Sequence, residues 1–285
     1  MNISVTSYSY YQYIAQKKMT MLDTLQKTVE LGIPAIELIE LDGAGDYGLQ
    51  TENAHKLRAE ADRLGLPIIS YTIGAELNQD TPEARSAEVE RLCRQLDLAK
   101  ILGAPVMRHD VTRKAGSALT GIHGFVRALP VMADMAREVT AYAETLGIRT
   151  CSENHGYVFQ DADRVERFYE AVGHDNYGVL LDIGNMMCAD EDPVTTVSRL
   201  APYAIHVHAK DMIKREKRAA TLRCFETRAA NFLVPVALGE GDVDIPRCLA
   251  ILKKNGYQGY VSIEYEGAHD CIEGIKFGHT YLSSL

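Results

Sequence analysis

The sequence predicts an α/β protein built as a single-domain (β/α)8 TIM barrel. Three observations predict it. Short apolar, β-branched runs alternate with helical stretches along the whole chain, and eight such strand–helix units can be marked. Several helices stop on a Leu-Gly pair that leads straight into the next strand. No G-x-G-x-x-G opens a helix after a strand, so a dinucleotide fold has no support. Repeated βα units imply a parallel sheet, and eight of them favour a closed barrel over an open one. The 285 residues suit one barrel of about 250 residues plus insertions.

In chain order, the first strand is Ile3 to Ser7, and a helix follows from Met19 to Leu31. PAIELIE (34–40) is the second strand, with a helix from Thr51 to Leu64. LPIISYTI (66–73) is the third, before a helix from Pro82 to Leu102. Pro82 suits the first helical turn and Thr81 suits its N-cap. PVMRHD (105–110) precedes a helix from Phe125 to Leu146, and IRTCSEN (148–154) precedes Asp161 to Val172. YGVLLDIGN (177–185) is followed by Pro193 to Leu200. YAIHVHAKD (203–211) is the seventh strand, and its helix, Ile245 to Lys254, comes late. GYVSIEYEG (259–267) is the eighth, and a C-terminal helix closes the chain. The stops at 31–33, 64–66, 102–104 and 146–148 place glycine where a helix ends in the left-handed region. One domain over 1–285 is expected, with an insertion at about 212–238 on the active-site face.

Composition narrows the function classes. Hydrophobic residues make up 46% and charged residues 24%, ordinary for a globular protein. The net charge of −9 argues against a nucleic-acid partner, which would need a basic surface. No apolar run is long enough to span a bilayer, so no membrane partner is expected. MNISVTSYSYYQY does not read as a secretory signal. Cys93, Cys151, Cys188, Cys224, Cys248 and Cys271 are scattered, without a C-x-x-C pair. Reduced thiols and a cytoplasmic location are the expectation.

Active sites of such barrels lie at the C-terminal ends of the strands. Four consecutive strands each deliver a carboxylate or imidazole there: Glu153, Asp182, His208 and Glu264. Neighbouring strands lie about 4.8 Å apart, so the four groups can converge. Three carboxylates and one imidazole make a mixed, hard metal site. One divalent cation is expected, Mn²⁺ first, with Mg²⁺, Co²⁺ or Zn²⁺ as alternatives. Side chains two apart on a strand face the same way, so His206 accompanies His208 one layer deeper and Lys210 one layer above. His155 shares a side with Glu153, and Glu266 with Glu264.

At these residues the chain resembles the xylose isomerase-like, sugar phosphate isomerase/epimerase family. The matching pieces are GIPAIEL (32–38), SENHG (152–156), LLDIGN (180–185), HVHAKD (206–211) and the run from 239 to 266. The resemblance covers most of the chain and is specific for the superfamily rather than for a substrate. It implies that Glu153, Asp182, His208 and Glu264 hold the metal and that Glu153 and Glu264 act as a catalytic acid/base pair. It implies proton abstraction beside a metal-bound carbonyl, through an enediolate, on a small polyhydroxylated carbonyl compound. Isomerisation or epimerisation of a sugar or cyclitol ketone is the first expectation. A lyase on the same scaffold, acting on an inosose or a 3-keto-glycoside, is the alternative. The sequence departs from ketose 3-epimerases at Asn185, where they often carry histidine, and HVHAKD looks closer to inosose dehydratase and isomerase relatives. Look-alikes are commonly dimers or tetramers, so a homo-oligomer is expected.

The substrate-binding candidates are His155, Asn185, His109, Lys210 and Tyr8. Tyr8, Tyr10, Tyr11 and Tyr13 could form an aromatic wall over a sugar or an aglycone, or pack against the neighbouring loop. Arg108 and His109 end strand four, with His109 the preferred contact. Glu37 is a candidate supporting carboxylate. The 212–238 segment carries Lys214, Arg215, Lys217, Arg218, Arg223 and Arg228. It reads either as a solvated surface excursion or as a lid or partner surface over the mouth that supplies a cation for substrate.

Overall fold

The computed structural model describes residues 1–43, 45–112, 122–156, 158–219 and 222–285. Its strands are β1 (Asn2–Thr6), β2 (Ile36–Ile39), β3 (Ile68–Ile73), β4 (Val106–His109), β5 (Arg149–Glu153), β6 (Tyr177–Asp182), β7 (Ala204–Ala209), β8 (Asp211–Arg215), β9 (Phe225–Glu226), β10 (Phe232–Val236) and β11 (Tyr260–Ile263). Strands β1 to β7 and β11 pair in parallel and close into a barrel, with β11 between β7 and β1. The expected fold is therefore observed.

The helices are α1 (Tyr11–Ala15), α2 (Met21–Glu30), α3 (Tyr47–Leu64), α4 (Pro82–Leu102), α5 (Ile122–Leu146), α6 (Ala162–Val172), α7 (Pro193–Leu200), α8 (Ile245–Lys254) and α9 (Cys271–Ser283). Their starts are written in local chemistry. Thr81 accepts the Ala84 N–H and Pro82 opens α4, while Asp161, Asp192 and Asp244 cap α6, α7 and α8 in the same way. The Leu-Gly stops at Gly65 and Gly103 take φ of 63° and 71°, which a side chain would oppose.

Alternation divides each barrel strand between two buried faces. Val5, Leu38, Tyr71, Met107, Leu181, Val207 and Ile263 form the apolar layer under the helices. The alternate positions face the barrel axis and are polar. Ser4, Glu37, Ser70, His206 and Ser262 are all buried there. Such groups need partners in a dry interior. Ser4 and Ser262 hydroxyls meet at 2.7 Å, and Ser262 Oγ lies 3.2 Å from His206 Nε2.

Three expected strands end early, the eighth among them: expected to run to position 267, it stops at Ile263. Strand six stops at Asp182 because its Oδ1 accepts the Gly184 and Asn185 N–H groups at 2.7 and 3.0 Å, turning the chain into a short 3-10 segment, Asn185–Ala189. Strand seven stops at Ala209, and Asp211 opens a separate sheet. The 212–238 excursion is folded. Strand β10 pairs antiparallel with both β8 and β9. Positions 220 and 221 of it lie outside the described residues. Asp211 clamps its two ends by accepting the N–H groups of Met212, Gly239, Gly241 and Val243. No helix among the described residues is long and apolar enough to cross a membrane. All six cysteines are free thiols.

Candidate metal centre

Glu153 ends β5, Asp182 ends β6, His208 stands one residue before the end of β7, and Glu264 follows β11 directly. Strand register brings them level: Asp182 pairs with His208, and the Glu264 N–H donates to the Ala209 carbonyl at 2.9 Å. One donor atom from each of the four lies within 4.8 Å of the others. Glu153, Asp182 and His208 are buried, at 5%, 0% and 1% exposure. Burying three carboxylates together is costly without positive charge between them.

Each group is aimed by a partner behind it. Asp182 spends Oδ1 on the turn, and its Oδ2 accepts no hydrogen bond among the described residues. His208 Nε2 lies 2.9 Å from Glu37 Oε2, which His206 Nε2 also reaches at 2.6 Å. The Thr72 hydroxyl donates to the other Glu37 oxygen at 2.5 Å. With Nε2 engaged, His208 presents Nδ1 to the cluster, 3.5 Å from Glu264 Oε2 and 3.8 Å from Glu153 Oε1, without a hydrogen bond. A carboxylate behind a histidine is the usual support for a metal-ligating ring. The Asp182 oxygen and His208 nitrogen, neither hydrogen-bonded among the described residues, fit one divalent cation with mixed oxygen and nitrogen donors together with the two further carboxylates.

Two cations of the chain flank the cluster. Arg108 Nη2 binds Glu153 Oε2 at 2.5 Å and Asp110 Oδ1 at 2.7 Å. Asn185 Nδ2 donates to Glu153 Oε1 at 2.8 Å, so both oxygens of that carboxylate are held. Lys210 Nζ lies 2.7 Å from Glu264 Oε2, 3.3 Å from Asp182 Oδ2 and 3.1 Å from Glu266 Oε2. Burial pushes the Asp182 carboxyl up to about 7, with Glu264 and Glu153 adding to it and Lys210 opposing. Burial also opposes charge on Glu264, but Lys210 and His208 prevail and hold its carboxyl well below the usual range.

A cavity of about 360 Å³ opens over the cluster. Tyr8, His155, Asn185 and Lys210 line it, as do Glu153, His208 and Glu264. His155 Nδ1 lies 3.0 Å from Asp110 Oδ1. Burial pulls the His155 pKa down, but Asp110 and Glu153 outweigh it and leave the ring above its ordinary value. His109, the preferred contact from strand four, does not line the cavity. It is fully buried on the helix-facing side of the sheet, near Tyr177, with Nδ1 2.9 Å from the Asp110 carbonyl. Its neighbour Arg108 takes the cavity side because alternation gives that side to one of the two.

The tyrosine run divides similarly. Tyr8 faces the cavity and its hydroxyl donates to Glu266 at 3.0 Å. Tyr10 is buried against Thr28, and Tyr13 donates to Asp270. Asp110 joins Arg108 to His155, a role that sequence reasoning missed although the residue closes the RHD run. The excursion sends Arg223 and Phe225 into the cavity lining. Arg223 Nη2 lies 3.2 Å from Glu266 Oε1 and 3.3 Å from the Tyr8 hydroxyl. Lys214 pairs with Asp190, and Arg228 with Asp161, tying the excursion to the loops after β6 and β5.

A closed parallel barrel with a carboxylate–imidazole cluster at its C-terminal strand ends defines a class of TIM-barrel proteins whose chemistry sits at the strand ends. Residues 25–282 match the model of the xylose isomerase-like TIM barrel, and the chain belongs to that family. It is 29% identical over 219 residues to the rhizopine catabolism protein MocC of Rhizobium meliloti, covering 70% of this chain and 64% of that protein. It is 26% identical over 144 residues to an inosose dehydratase of Clostridium beijerinckii, covering 48% and 46%. These matches span less than two thirds of each relative's length. Among solved structures, the IOLI protein with a bound zinc atom superposes with a TM-score of 0.76 at 15% identity, covering 100% of this chain and 97% of that one. Solved structures of this fold also include a D-psicose 3-epimerase and an L-ribulose 3-epimerase, each at 18% identity, with TM-scores of 0.72 and 0.71.

Proposed function

We propose that this chain is a divalent-metal-dependent isomerase or epimerase of a sugar or cyclitol ketone. The observation that carries the reading is the buried cluster itself: Glu153, Asp182, His208 and Glu264 converge within 4.8 Å, with Asp182 Oδ2 and His208 Nδ1 left without hydrogen bonds. These four residues would hold the cation, Mn²⁺ by donor chemistry, with the zinc of the IOLI structure supporting a divalent ion. When bound, a divalent cation supplies Lewis acidity beside the substrate carbonyl, worth several kcal/mol.

The chain's own residues do the rest. Glu264, directly after β11, takes the proton next to the carbonyl. Glu153, fixed by Arg108 and Asn185 on a strand that β6 and β7 separate from β11, is the second member of the pair: it would enter the cycle carrying a proton taken from solvent and give that proton to the carbon on the side opposite Glu264. His155, Asn185 and Tyr8 offer polar contacts to hydroxyl groups, and Lys210 offers an ammonium. The enzyme would work in the cytoplasm as a dimer or tetramer.

A lyase is the second reading. A specific observation favours it: the Lys210 ammonium stands at the cavity wall within reach of Glu264, where it can protonate a departing hydroxyl. The inosose dehydratases among the relatives point the same way. The test is metal analysis followed by turnover of ketoses, inososes and 3-keto-glycosides in D₂O. An isomerase or epimerase exchanges a carbon-bound hydrogen and otherwise keeps substrate mass, whereas a lyase loses water or an aglycone. Glu153→Gln and Glu264→Gln should each lower turnover by about 10²–10⁴ while leaving the fold intact. Full activity in both variants would refute the mechanism.

A further inference from the structure

The inference concerns Lys210 and rests on the metal-centred reading above. Lys210 is the single residue between β7 and β8, and it is buried. Its ammonium has two sets of partners. One set is Glu264 Oε2 at 2.7 Å and Asp182 Oδ2 at 3.3 Å, oxygens of the four-donor cluster. The other is Glu266 Oε2 at 3.1 Å and Asn185 Oδ1 at 3.1 Å, which lie outside the cluster and on the cavity wall. Arg108, at the opposite end, pairs with a single residue of the cluster, Glu153. Its guanidinium is spread over Glu153, Asp110 and the Ile73 carbonyl.

An ammonium and a divalent cation drawn to the same buried oxygens repel each other with little screening. Lysine is a point charge on a flexible stem, so it can yield where a planar fork would be locked. We propose that Lys210 is a displaceable counter-ion of the cluster. It competes with a divalent cation for Asp182 and Glu264, and cation binding moves its ammonium onto Glu266 and Asn185. There it faces the cavity as a donor to a substrate oxygen. Metal occupancy thereby sets where the cationic donor stands.

The experiment measures Mn²⁺ affinity by titration calorimetry at fixed pH and ionic strength, for the wild-type chain and Lys210→Met. Removal of the competing charge should tighten Mn²⁺ binding by about tenfold or more. Chelator-stripped Lys210→Met should melt below the stripped wild type, and Mn²⁺ should erase the difference. Equal or weaker Mn²⁺ binding by the variant overturns the proposal. Should the variant not fold without metal, a crystal structure of the wild-type chain grown with Mn²⁺ decides. The ammonium should then lie beyond about 4 Å, the ion-pair limit, from Asp182 Oδ2 and Glu264 Oε2. An ammonium still in contact with both beside bound Mn²⁺ overturns the proposal. Absence of Mn²⁺ binding by the wild type overturns the metal-centred reading and this inference together, whereas equal binding by both chains overturns this inference alone.

Discussion

Glu37→Gln isolates what the buried carboxylate behind His208 does. The substitution keeps the side-chain volume and removes one charge. In the wild type, Glu37 Oε2 meets His206 Nε2 at 2.6 Å and His208 Nε2 at 2.9 Å. A glutamine can keep its oxygen toward the two rings and turn its amide toward Thr72, so the contacts survive without the charge. Charge-assisted hydrogen bonds are about twice as strong as neutral ones, so each contact loses about 1 kcal/mol and the pair about 2 kcal/mol. A shift of about 2–4 °C per kcal/mol then places the Tm about 4–8 °C lower. Metal affinity should fall about 10–100-fold, because the ring loses the partner that orients it.

The pH dependence of chelator-stripped protein gives a sharper test of the same substitution. Burial opposes charge on Glu37, but His208 and His206 prevail and hold its carboxyl well below the usual range. Its contribution is present above the unfolded value of about 4.3 and is lost as pH falls through the folded value. Burial likewise opposes charge on His208, but Glu37 and Glu264 hold its pKa well above the ordinary value. That contribution is complete below the unfolded value of about 6.5 and is lost as pH rises through the folded value. The stability gap between wild type and Glu37→Gln should therefore be widest between about pH 4.3 and 6.5, and should narrow on both sides. Thermal melts across pH and calorimetric titration with Mn²⁺ are the assays. Melting curves that coincide at pH 5.5, with unchanged Mn²⁺ affinity, would refute the reasoning.

Two further substitutions probe the cavity. Arg223→Ala removes a half-exposed cation from the mouth, so Tm should move by less than about 2 °C while KM rises several-fold and kcat changes little; an unchanged KM would remove Arg223 from substrate binding. Gly184→Ala would set a methyl 2.9 Å from the Lys210 carbonyl oxygen and 3.2 Å from Lys210 Cβ, at a cost of about 1–3 kcal/mol, and thermal melting measures it directly.

The barrel and its four converging groups were legible because both depend on local rules. Leu-Gly stops and strand-end polar residues recur with the βα unit, and a strand end in a parallel barrel has only one place to be. What stayed hidden depends on which of two buried faces a residue takes. In a sheet facing water on one side, polarity would reveal the phase of each strand. Here both faces are buried, and the axis face is polar, so Arg108 and His109 look equally suited to the cavity. Pairing with the neighbouring strand decides between them, since Arg108 on β4 neutralises Glu153 on β5 while His109 packs near Tyr177. Tyr8 and Tyr10 pose the same ambiguity over one turn of 3-10 helix, Ser7–Tyr10.

The excursion was hidden for a different reason. Its cations could be counted from the sequence, but their partners, Glu266, Asp190 and Asp161, lie on three other segments. Only closure of the barrel brings those acids to one rim. Asp211 then accounts for why the excursion returns to where it began: four backbone N–H groups, from Met212, Gly239, Gly241 and Val243, converge on its carboxylate. That clamp sits beside Lys210 in sequence. The residue with two sets of partners is thus anchored on its C-terminal side by the base of the excursion and on its N-terminal side by a barrel strand. Its backbone is held while its side chain is free to choose, which is the arrangement a displaceable counter-ion requires.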